Sequence, residues 1–228
     1  MQAPPQLPEP PHFSLLYQSE SCVVINKPAG ISFHSDNDQA GLVVQLSEQL
    51  QQKLWPVHRL DKVTSGILLF ATNEKSAAFF SQQFSQRQIQ KRYLAVSSLK
   101  PKKKQGWVKG DMNKSRNGSW KLLRSQENPA ITRFVSHFDD QQQKRLFLLS
   151  PTTGKTHQLR VAMKSLSAAI DGDQRYSGQP SDRTYLHAYA LRFQEENGEQ
   201  ITLLCQPEIS GWPAIPSDWQ DSDLLFQD

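Results

Sequence analysis

The apolar residues of this chain come in short runs. The longest, Gly66-Ile67-Leu68-Leu69-Phe70-Ala71, is the length of one buried strand. A membrane span needs about 20 consecutive apolar residues, and no run approaches that. The chain must therefore bury its core by packing many short elements against one another. Its 228 residues are enough for one large domain or two small ones sharing a core. No composition break forces two independent domains, so residues 13–228 are expected to form one unit. Residues 1–12 read as a Pro-rich tail (Pro4, Pro5, Pro8, Pro10, Pro11) with no core role. That tail lacks a basic stretch followed by an apolar one, which argues against a secretory signal.

The element pattern is mixed. Cys22–Asn26 reads as a buried strand, and Lys27-Pro28-Ala29-Gly30 as the turn after it. Leu42, Leu46, Leu50 and Leu54 recur at helical spacing, predicting a helix over 41–54 ended by Trp55-Pro56. Ile67–Ala71 and Arg92–Ser97 read as strands. Between them Asn73 caps a helix that turns Ala77, Phe80 and Phe84 inward. The stretch 100–118 is rich in Lys, Gly and Asn and predicts hairpins or an insertion. Arg145–Leu149 is a strand, followed by a helix carrying Leu159, Met163 and Leu166. Leu186–Phe193 and Ile201–Cys205 form a closing pair of strands joined by Glu196-Asn197-Gly198. Strands and helices do not alternate regularly, which favours α+β over a doubly wound sheet.

Net charge is +4, but it is unevenly distributed. Nine basic residues lie between Lys100 and Arg124 against Asp111 alone, a local charge of +8, while the rest of the chain carries −4. A basic stretch beside Trp107 and Trp120 fits a polyanion partner, or else a solvated surface loop. The two cysteines, Cys22 and Cys205, sit in apolar strands and read as buried free thiols, as expected in the cytoplasm. The six histidines show no metal-ligand spacing, so no metal site is expected. Gly154-Lys155-Thr156 is not a phosphate loop, because the glycine required five residues earlier is Leu149.

His58-Arg59-Leu60-Asp61-Lys62-Val63-Thr64-Ser65-Gly66 is the most informative stretch. In an extended segment alternate residues share a side, so Arg59 and Asp61 are expected to project together with Leu60 turned inward. A nearby guanidinium favours the ionised form of a carboxylate. On its own this could be no more than a surface ion pair.

The stretch resembles the His-Arg-Leu-Asp…Thr-Ser-Gly signature of the RluA-type RNA pseudouridine synthases. Other segments resemble that family's motifs in the same order: Asn26-Lys27-Pro28-Ala29-Gly30 with His34, Lys91-Arg92-Tyr93-Leu94-Ala95, Gly154-Lys155-Thr156-His157-Gln158-Leu159-Arg160, Gly172-Asp173 with Tyr176, and Leu186-His187-Ala188. The resemblance spans roughly residues 20–205. It departs at Val63, where the family usually has an acid, and at Asp171, where it usually has an apolar residue. Both departures bear on local packing or substrate choice more than on chemistry.

The resemblance implies an α+β catalytic domain with a bent, mostly antiparallel mixed sheet, flanking helices and a cleft across the middle. It implies Asp61 as the catalytic aspartate, Tyr93 as an active-site tyrosine beside the target base, and Arg160 as the basic partner of the aspartate. Arg59 matches an arginine associated with base flipping. Many relatives carry an N-terminal S4 RNA-binding domain. None is expected in the roughly twenty residues before the first motif, so the RNA grip is assigned to Lys102, Lys103 and Lys104, with Lys27, Lys91 and Lys155 as further contacts. His157 and His187 read as structural.

The chemistry is consistent with this inventory. Isomerising uridine breaks the glycosidic bond, turns the base and rejoins it through carbon. No redox cofactor, metal or energy donor is required, and none is expected. One carboxylate can suffice, as a nucleophile on the sugar or as a base that removes a sugar proton. Uracil leaves as a delocalised anion, which lessens the need for the second acid that glycosidases use. A base inside a helix is out of reach, so the target must be unpaired or flipped. The expected protein is thus a monomeric cytoplasmic isomerase acting on ribosomal or transfer RNA. The rivals are a catalytically silent RNA-binding module of the same fold, or an enzyme acting on free nucleosides or glycosides.

Overall fold

The computed structural model describes residues 13–35, 40–207 and 210–227, so the expected tail over residues 1–12 lies outside the described residues. Ten strands build one sheet: β1 (Ser14–Gln18), β2 (Cys22–Lys27), β3 (Trp55–Pro56), β4 (Ser65–Ala71), β5 (Gln90–Ser97), β6 (Gly106–Gly110), β9 (Ala130–Asp139), β10 (Lys144–Pro151), β11 (Leu186–Gln194) and β12 (Gln200–Leu204). A separate hairpin, β7 (Met112–Lys114) and β8 (Trp120–Leu122), projects between β6 and β9. The helices are α1 (Leu42–Leu50), α2 (Glu74–Ser85), α3 (Gln158–Ser165), α4 (Ser217–Gln220) and α5 (Ser222–Leu225).

The sheet runs β1-β2-β4-β11-β5-β10-β9-β6 and is antiparallel except where β4 meets β11. That parallel contact is short: His187 and Ala188 face Ser65 and Gly66. From Ala190 onward the same edge of β11 pairs with β12 instead. One edge shared between two strands bends the sheet, and the register of β11 against β5 shifts at the same place, between Ala188 and Ala190. Gly66 makes the crossing possible. Its φ is +104°, and a Cβ there would stand 2.3 Å from the Ala188 carbonyl oxygen.

Two apolar clusters flank the bend. One gathers β5, β9, β10 and α3 with the C-terminal helices, and the other gathers β1, β2, β4 and the buried faces of α1 and α2. Tyr93 packs against both. The seam between the clusters is therefore the point where strand β5 passes the β4–β11 crossing.

Most elements follow their sequence patterns. Asn73 caps α2 through its side chain, which accepts from Ser76 N at 2.9 Å. Helix α1 ends at Leu50, short of the expected 54, because Gln51 takes a left-handed cap (φ 51°). Leu54 is still buried, but from the connecting loop. Cys22 and Cys205 are both free and buried. Asp171, the departure from the motif, is buried and satisfied: Ser98 donates to it from its backbone N at 2.9 Å and from its hydroxyl at 2.7 Å. Among the described residues no helix is long and apolar enough to cross a membrane.

Candidate active site

A cleft of about 670 Å³ opens over the seam, lined by residues 57–61, by Lys91 and Tyr93 of β5, by residues 151–155 and by the start of α3. Five basic side chains line it: Arg59, Arg87, Lys91, Lys155 and Arg160. Asp61 is the one carboxylate among its described lining residues.

Asp61 sits in the loop leading into β4, and its carbonyl accepts from Thr64 N at 3.0 Å. The loop is clamped from below. Lys27 is fully buried, and its ammonium donates to the carbonyls of Pro28 and Thr64, each at 2.9 Å, while Gly30 N donates to Lys62 O at 2.7 Å. This corrects the expectation that Lys27 touches RNA: it is inside the protein, holding the turn that carries Asp61. Burial pulls its pKa down to about 8, although the charge of Asp61 acts the other way. From the other side, His58 accepts from Leu69 N through Nε2 at 2.9 Å and stacks on Phe84, which ties the loop to β4 and α2. Burial drops the His58 pKa to about 3, so the ring stays neutral.

The guanidinium beside Asp61 belongs to Arg160, not Arg59. Arg160 Nη1 donates to Asp61 Oδ2 at 3.2 Å, while Nε and Nη2 donate to the two oxygens of Asp173 at 2.8 Å each. Arg160 and Asp173 are both buried, whereas the Asp61 side chain keeps 23% of its surface. Burial opposes the charge on Arg160, but Asp173 and Asp61 together outweigh it and hold the group above its ordinary pKa. Asp173 thus orients the arginine by a bidentate pair, and the arginine presents one free edge to Asp61. Arg59 lies exposed on the rim of the cleft.

Tyr93 lies opposite Ala188 of β11 and Leu149 of β10, and so reaches the same cleft. Burial first, and then the charge of Asp61, raises its pKa, so the phenol stays protonated. His157 also belongs to the site, contrary to the structural role expected of it. Trp120 N donates to Tyr176 Oη at 3.0 Å, and that oxygen lies 2.8 Å from His157 Nδ1. When the phenol donates to Nδ1, the neutral ring carries its N–H at Nε2; Nε2 lies 4.0 Å from Asp61 Oδ2. Burial depresses the His157 pKa more than Asp61 raises it. His187 is structural as expected: Nδ1 meets Ser65 Oγ at 2.8 Å and Nε2 meets Cys205 O at 2.9 Å.

Lys91 and Lys155 line the cleft. Lys102, Lys103 and Lys104 are exposed but do not line it. Lys102 N donates to Leu166 O, six residues past Arg160 and about 9 Å further along α3. Arg87 went unnoticed in the sequence because no motif contains it; it follows α2 in a left-handed conformation (φ 60°). Among the described residues no cluster of three His, Cys, Asp or Glu side chains could hold a metal ion.

Comparison with known proteins converges on one family. The family described as RNA pseudouridylate synthase matches residues 21–165. A Haemophilus influenzae protein named as an uncharacterized RNA pseudouridine synthase is 52% identical over 85% of this chain and 87% of its own length. A Haemophilus ducreyi protein named tRNA pseudouridine synthase C is 32% identical over 93% of this chain and 98% of its own. A Rickettsia bellii protein named ribosomal large subunit pseudouridine synthase C is 35% identical over 76% of this chain, which spans 61% of that relative. Among solved structures, human RNA pseudouridylate synthase domain containing 4 superposes with a TM-score of 0.68 at 26% identity, covering 86% of this chain and 89% of that one. With its bent, mostly antiparallel mixed sheet and its sequence kinship, the chain belongs to the RluA-type family of RNA pseudouridine synthases, which are isomerases.

Proposed function

We propose that this protein converts specific uridines of ribosomal or transfer RNA to pseudouridine, with Asp61 as the catalytic residue. It is read as a cytoplasmic monomer that needs neither cofactor nor metal. The observation that carries the proposal is the cleft itself: a lone carboxylate, oriented by a buried arginine, among five cations. The cations suit a polyanionic substrate, and the carboxylate suits attack on a sugar or removal of its proton.

Arg160 takes one Asp61 oxygen, leaving the other free to face the ribose. Tyr93, held protonated beside Asp61, offers a ring to pack on the base and a hydroxyl to donate near the sugar. Arg59, exposed at the rim, has the planar face needed to fill the stack that a flipped base vacates. Lys91 and Lys155 flank the entry and supply phosphate contacts. In the reaction the bond from ribose to the ring nitrogen breaks, the uracil turns, and a bond to ring carbon forms. The proton lost from that carbon is replaced by one gained at nitrogen, so no oxidant or reductant is consumed.

The test has two arms. Pseudouridine is mapped by carbodiimide-stop sequencing in cells with and without the gene, and tritium release from labelled RNA is followed with wild type and Asp61→Asn. A stop lost with the gene, together with silence of a folded Asp61→Asn protein, is expected. RNA binding without tritium release by the wild type would establish a silent binding module instead.

A further inference from the structure

A second cavity of about 870 Å³ shares Arg160 with the first as a lining residue. Three more guanidiniums line it, each from a separate segment: Arg116 from the tip of the β7–β8 hairpin, Arg175 from the 3-10 turn Gln174–Tyr176, and Arg183 from the loop before β11. Two carboxylates share the cavity. Asp173 is already taken up by Nε and Nη2 of Arg160, and Asp182 is exposed.

Two of the three arginines hydrogen-bond to neutral groups, and the charge of Asp182 also acts on Arg183. Arg175 Nη1 donates to the Asn117 carbonyl, and Arg183 Nη2 donates to Ser65 Oγ at 2.7 Å. Arg183 Nε is buried and has no hydrogen-bond partner among the described residues. Gly118 at the hairpin tip has φ +68°, and Arg175 Nη1 lies 2.8 Å from where a Cβ would stand, so the guanidinium reaches that tip. The hairpin is in turn fixed to the active site through Trp120, Tyr176 and His157.

We infer that this cavity is a phosphodiester site that grips the RNA backbone next to the reacting nucleotide. The inference rests on the reading of Asp61 as the catalytic residue. A ribose seated at Asp61 carries a phosphate on each side, and the cavity adjoins that seat across one arginine. Arginine forks match two phosphate oxygens at once, which an ammonium cannot do. The site also gives the +8 segment a route to the RNA apart from its lysines at 102–104, which stand outside the cleft: the contribution comes through Arg116, on a hairpin anchored to the cleft.

The experiment is a fluorescence-anisotropy titration of labelled decauridylate at several chloride concentrations, with wild type, the double variant Arg116→Gln/Arg175→Gln, its Arg→Lys counterpart, and the triple variant of Lys102, Lys103 and Lys104 to Ser. Melting temperatures check that each variant is folded. The Gln pair is expected to bind more weakly and to flatten the log–log salt slope by about 1.4, at about 0.7 per lost contact on a single strand. The Lys pair should recover the slope. A Gln pair with wild-type slope and affinity overturns the proposal, as does a Lys pair whose salt slope stays as flat as that of the Gln pair. A slope change carried by the Lys102–104 triple alone also overturns it, placing the grip at the far end of α3. In a further arm, phosphate replaces chloride at matched ionic strength. Extra displacement of the RNA by phosphate from wild type, lost in the Gln pair, supports a phosphodiester site, whereas phosphate binding that depends on these arginines but leaves RNA affinity unchanged would assign the cavity to the free anion and refute it. Binding requires no turnover, so a wild type that binds this way but releases no tritium would fail the Asp61 reading alone.

Discussion

Replacing Arg160 with Met separates what the buried pair does for the fold from what it does for Asp61. The side chain of Asp173 is 1% exposed and receives two bonds of 2.8 Å from Arg160. Without the arginine it becomes a buried, unpaired carboxylate, and breaking such a pair from one side costs about 3–5 kcal/mol. That is a large share of the roughly 5–15 kcal/mol by which a domain is stable. Asp61 stands differently, with a 23% exposed side chain and one arginine contact at 3.2 Å, so Asp61→Asn should cost about 1 kcal/mol or less. Asp173→Asn added to Arg160→Met removes the stranded charge, so the double variant should be more stable than Arg160→Met by about 2 kcal/mol. Urea unfolding at pH 7, followed by tryptophan fluorescence, measures wild type, Arg160→Met, Asp173→Asn, their double variant and Asp61→Asn, and tritium release reports activity. Arg160→Met, the double variant and Asp61→Asn should each lose most of their turnover, because Asp61 loses its charge or the group that aims it. Arg160→Met within about 1 kcal/mol of wild type, or strict additivity of the two substitutions, would refute the claim that Asp173 is the arginine's structural partner.

Tyr93→Phe should lower kcat far more than RNA affinity, since the ring still packs in the cleft and only the hydroxyl is lost; equal kcat in single-turnover assays would make Tyr93 a packing residue. His157→Ala should lower kcat with little change in KM, and Tyr176→Phe should do so more mildly by freeing the imidazole tautomer; a larger loss for Tyr176→Phe would show that the ring orientation is set elsewhere. His187 is buried with its pKa depressed to about 4, and His58 behaves alike. Their contributions are intact above about pH 6.5, where both states bind no proton. As pH falls from there toward 4 the unfolded imidazoles protonate and the folded ones do not. Each then costs about 1.4 kcal/mol per pH unit, and a His187→Gln variant should show the shallower fall in urea-unfolding free energy over that window.

Much of the site was legible before any coordinates. Asp61, Tyr93 and Arg160 lie in motifs with strong local signatures, and the structure brings all three to one cleft. The short apolar runs and the cap at Asn73 mark out β2, β4, α2 and β5 because strand alternation and helix capping are local properties. β1 and β9 passed unnoticed. β1 mixes exposed and half-buried residues, and β9 alternates over a length broken by polar side chains. Both lie toward the outer part of the sheet, where one face meets solvent and the pattern weakens.

What the sequence determined alone was which side chains are available and which local elements carry them. Local pattern alone could not say which would meet. Alternation along residues 59–61 pointed to Arg59 as the neighbour of Asp61, whereas the motif resemblance named Arg160, and the structure brings that partner from a helix 99 residues further on. Lys27 reads as one more surface cation until β2, β4 and the turn at Lys62–Thr64 close around it. The second cavity needs Arg116, Arg175 and Arg183 from three segments that only the bend at Gly66 and the hairpin anchored on Tyr176 bring together. Burial and long-range pairing depend on the whole packed chain, and a linear pattern carries no distance between its distant parts.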